Sequence, residues 1–143
     1  MNLIFLKGED ALKVGEWVAK RIPGCERGFG PCTALLVWDN GPIGATVFHN
    51  YSPEAGVIEM SSAAASPRWL SKRTLKAIHS YIFRDAGCQL AVMRVSENNA
   101  RMIRIAKAAG YTGHTVPRLR GRDEAEIIFT LTDDDWYASK MSR

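Results

Sequence analysis

The chain has 143 residues, 46% of them hydrophobic and 24% charged, which suits one compact domain with a full core. That balance excludes a disordered, collagen-like or coiled-coil chain, and no apolar run approaches membrane-spanning length. A net charge of +4 permits an anionic ligand and is too small to imply nucleic acid on its own.

In chain order, Asn2 to Lys7 alternates weakly and reads as an edge strand. The opening MNLIFLKGED is too short and too soon acidic for a signal peptide. Glu9 to Ile22 places Ala11, Val14, Val18 and Ile22 on one helical face, ended by Pro23-Gly24. Gly24 to Pro31 carries three glycines and reads as a flexible loop, either a connector or a functional segment. Cys32 to Trp38 and Ile43 to Tyr51 form a hairpin around Asn40-Gly41, the preferred pair for a tight turn. A further turn at Pro53 and Gly56 leads into a third antiparallel strand from Val57 to about Ala63.

The helix predicted after Pro67 buries Leu75, Ile78 and Ile82 and stops at Ala86-Gly87. Gln89 to Val95 is the next strand; the intervening helix requires it to run parallel to the Val57 strand, in a right-handed crossover. Asn98 to Ala109 is helical, with Met102, Ile105, Ala106 and Ala109 inward. Tyr111 to Val116 and Glu126 to Leu131 are the last strands, and Thr132 before three aspartates caps a short helix to Ser139. The expected architecture is an α/β (α+β) single domain over residues 1–143: a mixed, mostly antiparallel sheet flanked by helices. Cys25, Cys32 and Cys88 are odd in number and fit no metal spacing, so a reduced, cytoplasmic protein without metal is expected.

The stretch Val57 to Tyr111 organises this order, because it places a helix N-terminus just beyond the end of a strand, where anions bind in many α/β proteins. Arg68, Lys72, Arg73 and Lys76 cluster in the opening turns of that helix. Arg101, Arg104 and Lys107 repeat on the following helix, and Arg118, Arg120 and Arg122 form a short run; both sets also suit solvated faces.

The order of elements, with NNARMIRIAKAAGY after the fifth strand, resembles the Gcn5-related N-acetyltransferases. PRWLSKRTLKAIHSYIF and GRDEAEIIFTLTDDDW are similar to small members encoded in phages and prophages and to ribosomal-protein acetyltransferases. The resemblance spans Trp38 to Trp136 and implies an acyl-CoA N-acyltransferase-like fold. It implies acetyl-CoA as co-substrate and direct transfer to an amine in a ternary complex. A homodimer is compatible with it, and a membrane partner is not expected.

By the same resemblance, backbone N–H groups from about Leu70 to Thr74 hold the pyrophosphate, aided by the helix dipole. Ser71, Lys72 and Arg73 add direct phosphate contacts, and Arg68 stands where the family's loop begins. A backbone N–H near Met60 to Ser62 polarises the thioester carbonyl. Asn99 lies beside the acyl-CoA, or is a plain helix cap. Glu59 is the candidate base, against a structural ion pair; Ser61 and Ser62 are candidate donors to thiolate or carbonyl, or small residues without a role. His49 and His79 suit structural roles, and His114 borders the acceptor side.

The chain departs from the family pattern twice. The phosphate loop supplies no glycine in either register, and the tyrosine that often protonates the departing thiolate falls at Ala106. These departures define the alternative, a binding or structural module that has lost coenzyme binding. A nucleic-acid-associated modifier is a third reading, resting on the Arg118 to Arg122 run, which lacks interleaved aromatics.

Overall fold

The computed structural model describes residues 1–143. Its strands are β1 (Asn2–Leu6), β2 (Thr33–Trp38), β3 (Pro42–Ser52), β4 (Val57–Ala64), β5 (Leu90–Ser96), β6 (Thr112–Val116) and β7 (Glu126–Thr132). Its α-helices are α1 (Gly8–Ala19), α2 (Lys72–Ser80), α3 (Ala100–Ala108) and α4 (Asp133–Ala138). All strands join one seven-stranded sheet in the order β1-β2-β3-β4-β5-β7-β6, antiparallel throughout except for the β4–β5 pair.

The expected order of elements is the observed one. The first helix stops at Ala19, short of the expected Ile22. The helix expected after Pro67 is divided: Pro67–Trp69 forms one 3-10 turn, α2 follows, and Tyr81–Asp85 winds as a π segment. Leu75 is half-buried instead of buried, because Thr74, Ile78 and His79 hold the inward positions. Asn40 and Gly41 both take positive φ, as the tight β2–β3 turn requires.

The sheet is covered on both faces. Ala11, Val14 and Val18 of α1 pack on Ala34, Ala45 and Val47 to form a small cluster on one face. The other face carries the main core, where Ile78, Ile82, Phe83, Ala106 and Trp136 meet Phe48, Met60, Met93 and Phe129. β3 is central to both, and Ile43 to His49 are buried without a break. A strand covered on both faces loses its polar alternation for this reason.

The feature that positions the site is a separation of two strands. β4 and β5 pair only through Val57↔Leu90, Ile58↔Ala91 and Glu59↔Val92, although both run on beyond that point. β4 then follows β3 as far as Gly44↔Ala64, while β5 follows β7 as far as Ser96↔Glu126. Past Glu59, one backbone edge of β4 therefore has no strand partner. Unpaired strand groups are costly when buried, so such an edge marks a place where a ligand can bond.

Candidate active site

On the α2–α3 side of the strand opening lies an apolar slot, and on the α1 side a polar cleft; Met60, Ser62, Met93 and Met102 line both. The slot is lined chiefly by hydrophobic residues, among them Trp69, Leu70, Ile105 and Ala106, and its cavity is only about 20 Å³. The cleft is large, about 1040 Å³, and is bordered by the Gly24–Gly30 loop, β4, β5 and the β6–β7 connection. Three methionines at the junction give it a wall that can change shape, since their unbranched thioethers repack at low cost.

The loop from β4 to α2 reaches its turn without glycine. Leu70 (φ −98) and Ser71 (φ −108) keep ordinary backbone angles, and no residue between Gly56 and Gly87 has positive φ. Ser66 Oγ accepts from Arg68 N–H, and Ser71 Oγ accepts from Thr74 N–H at 3.1 Å, so two serines cap the successive turns. Trp69 anchors the loop by lying directly on Gly44: a Cβ there would meet the indole Cγ at 2.4 Å.

Most of the groups expected at the pyrophosphate have partners within the protein. Thr74 is buried and its N–H donates to Ser71 Oγ, so that group serves the helix cap. Leu70 turns inward against the core. Arg68 forms an ion pair with Asp39 at 2.9 Å, and Arg73 Nη1 donates to the Met1 carbonyl at 3.1 Å. Lys72 has no ion-pair or hydrogen-bond partner, and the N–H groups of Lys72 and Arg73, in the first helical turn, have no intrahelical acceptor. What faces outward at the start of α2 is thus a short cationic N-terminus with Lys72 and Arg73 at its rim.

Across the opening, Ser62 Oγ is 2.7 Å from Thr46 Oγ1, which fixes β4 against β3 on the slot side. Asn99 caps α3, its Oδ1 accepting from Met102 N–H at 3.2 Å, and it also borders the cleft. Asn99 is thus a helix cap that also borders the cleft.

On the cleft side the β3–β4 register sets His49 opposite Glu59. Glu59 Oε1 accepts from Asn50 Nδ2 at 2.9 Å, and His49 Nε2 lies 2.9 Å from Ser61 Oγ and 3.8 Å from Glu59 Oε2. Phe29 covers the His49 ring at a centroid distance of 4.6 Å. Burial pushes the His49 pKa below its ordinary value, and the Glu59 carboxylate opposes that without reversing it. The neutral imidazole is favoured, and its Nε2 holds Ser61, while Glu59 is held by Asn50. Ser61 and Glu59 are held by neighbours, and Glu59 lines the cleft.

Sequence reasoning missed the opposite wall. Glu126, only 3% exposed, is clamped by Arg94 (Nη2–Oε2 2.7 Å) and Arg120 (Nε–Oε1 3.1 Å), and Glu124 accepts from Ser96 Oγ at 2.6 Å. The hydrogen bond to Glu126 raises the Arg94 pKa. Glu126 opening a predicted strand was the available signal; its partners become visible only once β5 and β7 are paired.

Below the slot, His79 and Tyr111 form a buried pair. His79 Nδ1 lies 2.8 Å from the Leu75 carbonyl, which can only accept, so that nitrogen carries the proton. The Tyr111 hydroxyl then donates to His79 Nε2 at 2.6 Å. Burial lowers the His79 pKa to about 4 and raises that of Tyr111. Both groups tie α2 to the end of α3. His114, by contrast, is exposed and sits 3.3 Å from Thr130 Oγ1.

No protein-family model matches the sequence, and no curated protein matches it. Solved structures do match in fold. A point mutant of spermidine N-acetyltransferase SpeG from Vibrio cholerae superposes with a TM-score of 0.72 at 11% identity, covering 95% of this chain and 97% of that one. This is the N-acetyltransferase fold. A chimera of SpeG with hSSAT gives a TM-score of 0.75 at 10% identity over 97% of this chain and 100% of the other. A protein from T. thermophilus, whose acetyltransferase assignment is itself provisional, gives 0.66 at 17% identity over 94% and 72%. The comparisons carry no support for the narrower likeness to phage-encoded members. No helix is long and apolar enough to cross a membrane, and no group of metal-ligating side chains is assembled.

Proposed function

We propose that the protein is an acyl-CoA-dependent N-acyltransferase, transferring acetyl from acetyl-CoA to an amine. The observation that carries this reading is the parting of β4 and β5 after Glu59 and Val92, directly before the cationic start of α2. A thioester laid along the unpaired edge of β4 would find backbone donors near Met60 to Ser62 for its carbonyl oxygen. Its pyrophosphate would reach the N–H groups of Lys72 and Arg73 and the Lys72 ammonium, a favourable place for negative charge.

Transfer requires a neutral amine. Glu59, with one oxygen held by Asn50, would take the ammonium proton directly or through water; the amine nitrogen then attacks the carbonyl carbon and the C–S bond breaks. As the tetrahedral adduct collapses, the attacking nitrogen gives up its second proton and the thiolate departs with the C–S electron pair, taking up one proton in exchange through water or a site hydroxyl, Ser61 and Ser62 being the hydroxyls on β4. Tyr111 is buried against His79, so the phenol below the slot supports structure and does not take over the role vacated at Ala106.

The slot of about 20 Å³ is too small for a pantetheine arm, so binding must displace Met60, Met93 or Met102. The same closure favours a second reading, a module of this fold without coenzyme binding. Calorimetric titration with acetyl-CoA, followed by thiol release in the presence of amines, separates the two. Micromolar-range binding with amine-dependent thiol release supports transfer, whereas absence of binding by any acyl-CoA would overturn it.

A further inference from the structure

We propose that the cleft on the α1 side selects an amine that also carries a carboxylate, an amino acid or short aminocarboxylate, and not a polyamine. This rests on the transferase reading for which end of the acceptor reacts, but the anion site itself does not depend on it. The cleft is electrically two-sided. Glu59 stands on one wall beside the strand opening, where the amine must arrive.

The other wall holds Arg94 and Arg120 with Glu124 and Glu126, and Arg27 lines the same cleft from the Gly24–Gly30 loop, whose Phe29 packs on His49. The clamp on Glu126 uses Nε and Nη2 of Arg94 and Nε of Arg120. Both terminal nitrogens of Arg120 and one of Arg94 have no protein acceptor, and Arg27 has no carboxylate within ion-pair distance. Fixed guanidinium groups with spare N–H donors match a carboxylate in a fork geometry. The buried Glu126 carboxylate fixes Arg94 and Arg120 in place, so little rotamer freedom is lost on binding.

A polyamine would meet that wall with a second cation facing the unsatisfied guanidinium nitrogens of Arg94 and Arg120, where the one carboxylate outside the Glu126 clamp, Glu124, already accepts from Ser96 Oγ. Specificity against such amines would follow from repulsion as much as from attraction to the carboxylate. The apolar rim of Ile22, Phe29 and Leu119 accommodates a hydrocarbon segment between or beside the two charged ends.

The test compares L-leucine, 6-aminohexanoate and L-ornithine with 3-methylbutylamine, pentylamine and putrescine, their counterparts without the carboxylate. Binding to coenzyme-free protein is measured by calorimetry, and transfer by thiol release with acetyl-CoA. The expected result is that at least one aminocarboxylate binds and reacts about tenfold or more better than its counterpart. That preference should fall severalfold in both Arg27→Gln and Arg120→Gln. Arg27 is exposed and unpaired, so its variant reports on the site even if Arg120→Gln proves unstable. Equal or better binding of the decarboxylated amines, a preference that survives both substitutions, or no binding by any aminocarboxylate would overturn the proposal. Aminocarboxylate binding without any acetyl-CoA binding would instead refute the transferase reading and leave the anion site standing.

Discussion

Lowering the pH from 7 to 5 should destabilise the protein through His79. The ring is 1% exposed, its Nδ1–H is committed to the Leu75 carbonyl and its Nε2 to the Tyr111 hydroxyl. A proton on Nε2 would have to displace that donor, in a place with no carboxylate to balance the charge. Folded His79 therefore protonates near about 4, against an ordinary value of 6.5. Above about pH 6.5 both folded and unfolded states are neutral at this ring. Between 6.5 and about 4 the unfolded chain takes up a proton that the folded one refuses, so stability falls as pH falls.

The full gap corresponds to roughly 3 kcal/mol, of which about 2 kcal/mol is lost by pH 5. For a chain of this size that lowers Tm by about 7 °C. Burial of His49 acts in the same direction, so the wild-type curve alone does not isolate the effect. Urea denaturation at closely spaced pH values, for wild type and for His79→Gln, does. The variant starts less stable and should lose about 2 kcal/mol less over that interval. An acid-induced loss of the same size in both proteins would refute the assignment of His79 as the buried neutral acceptor.

Gly44→Ala should destabilise by about 1–3 kcal/mol, because its Cβ would lie within 2.4–2.6 Å of three Trp69 atoms. Acetyl-CoA affinity should weaken with it, since Trp69 anchors the loop before α2; an unchanged Tm in a thermal melt would contradict this packing. Replacing Lys72 and Arg73 together with alanine should weaken acetyl-CoA binding by about tenfold and flatten its salt dependence. Full affinity in a titration would place the phosphates elsewhere. Glu59→Gln should lower kcat/KM for amine acetylation by about a hundredfold or more below pH 8 while leaving acetyl-CoA affinity unchanged. A pH–rate profile identical to wild type would remove Glu59 from proton transfer.

The order of elements could be derived from local chemistry. Asn40-Gly41 sets one hairpin, Thr132 before Asp133 caps the last helix, and the helix between β4 and β5 dictates a parallel pair. The same logic placed a helix start after β4, and the structure puts Ser71 and Thr74 there as cap and capped residue. Where the pattern lacked glycine, the sequence pointed to a crowded loop; the backbone shows that no positive φ is needed there, because Ser71 closes the turn and Trp69 holds it.

What only the tertiary structure decided are contacts between residues distant in the chain. His49 meets Glu59 and Ser61 through the β3–β4 register, and Arg94, Arg120 and Glu126 meet through the pairing of β5 with β7. Neither set leaves a spacing that can be read along the chain, because pairing partners are fixed by sheet order and not by separation. The parting of β4 from β5 belongs to the same class. Each strand looks ordinary alone, and the opening exists because β3 holds one and β7 holds the other. Local propensity thus determined the elements, while the sheet's long-range pairing decided which charges face the cleft between them.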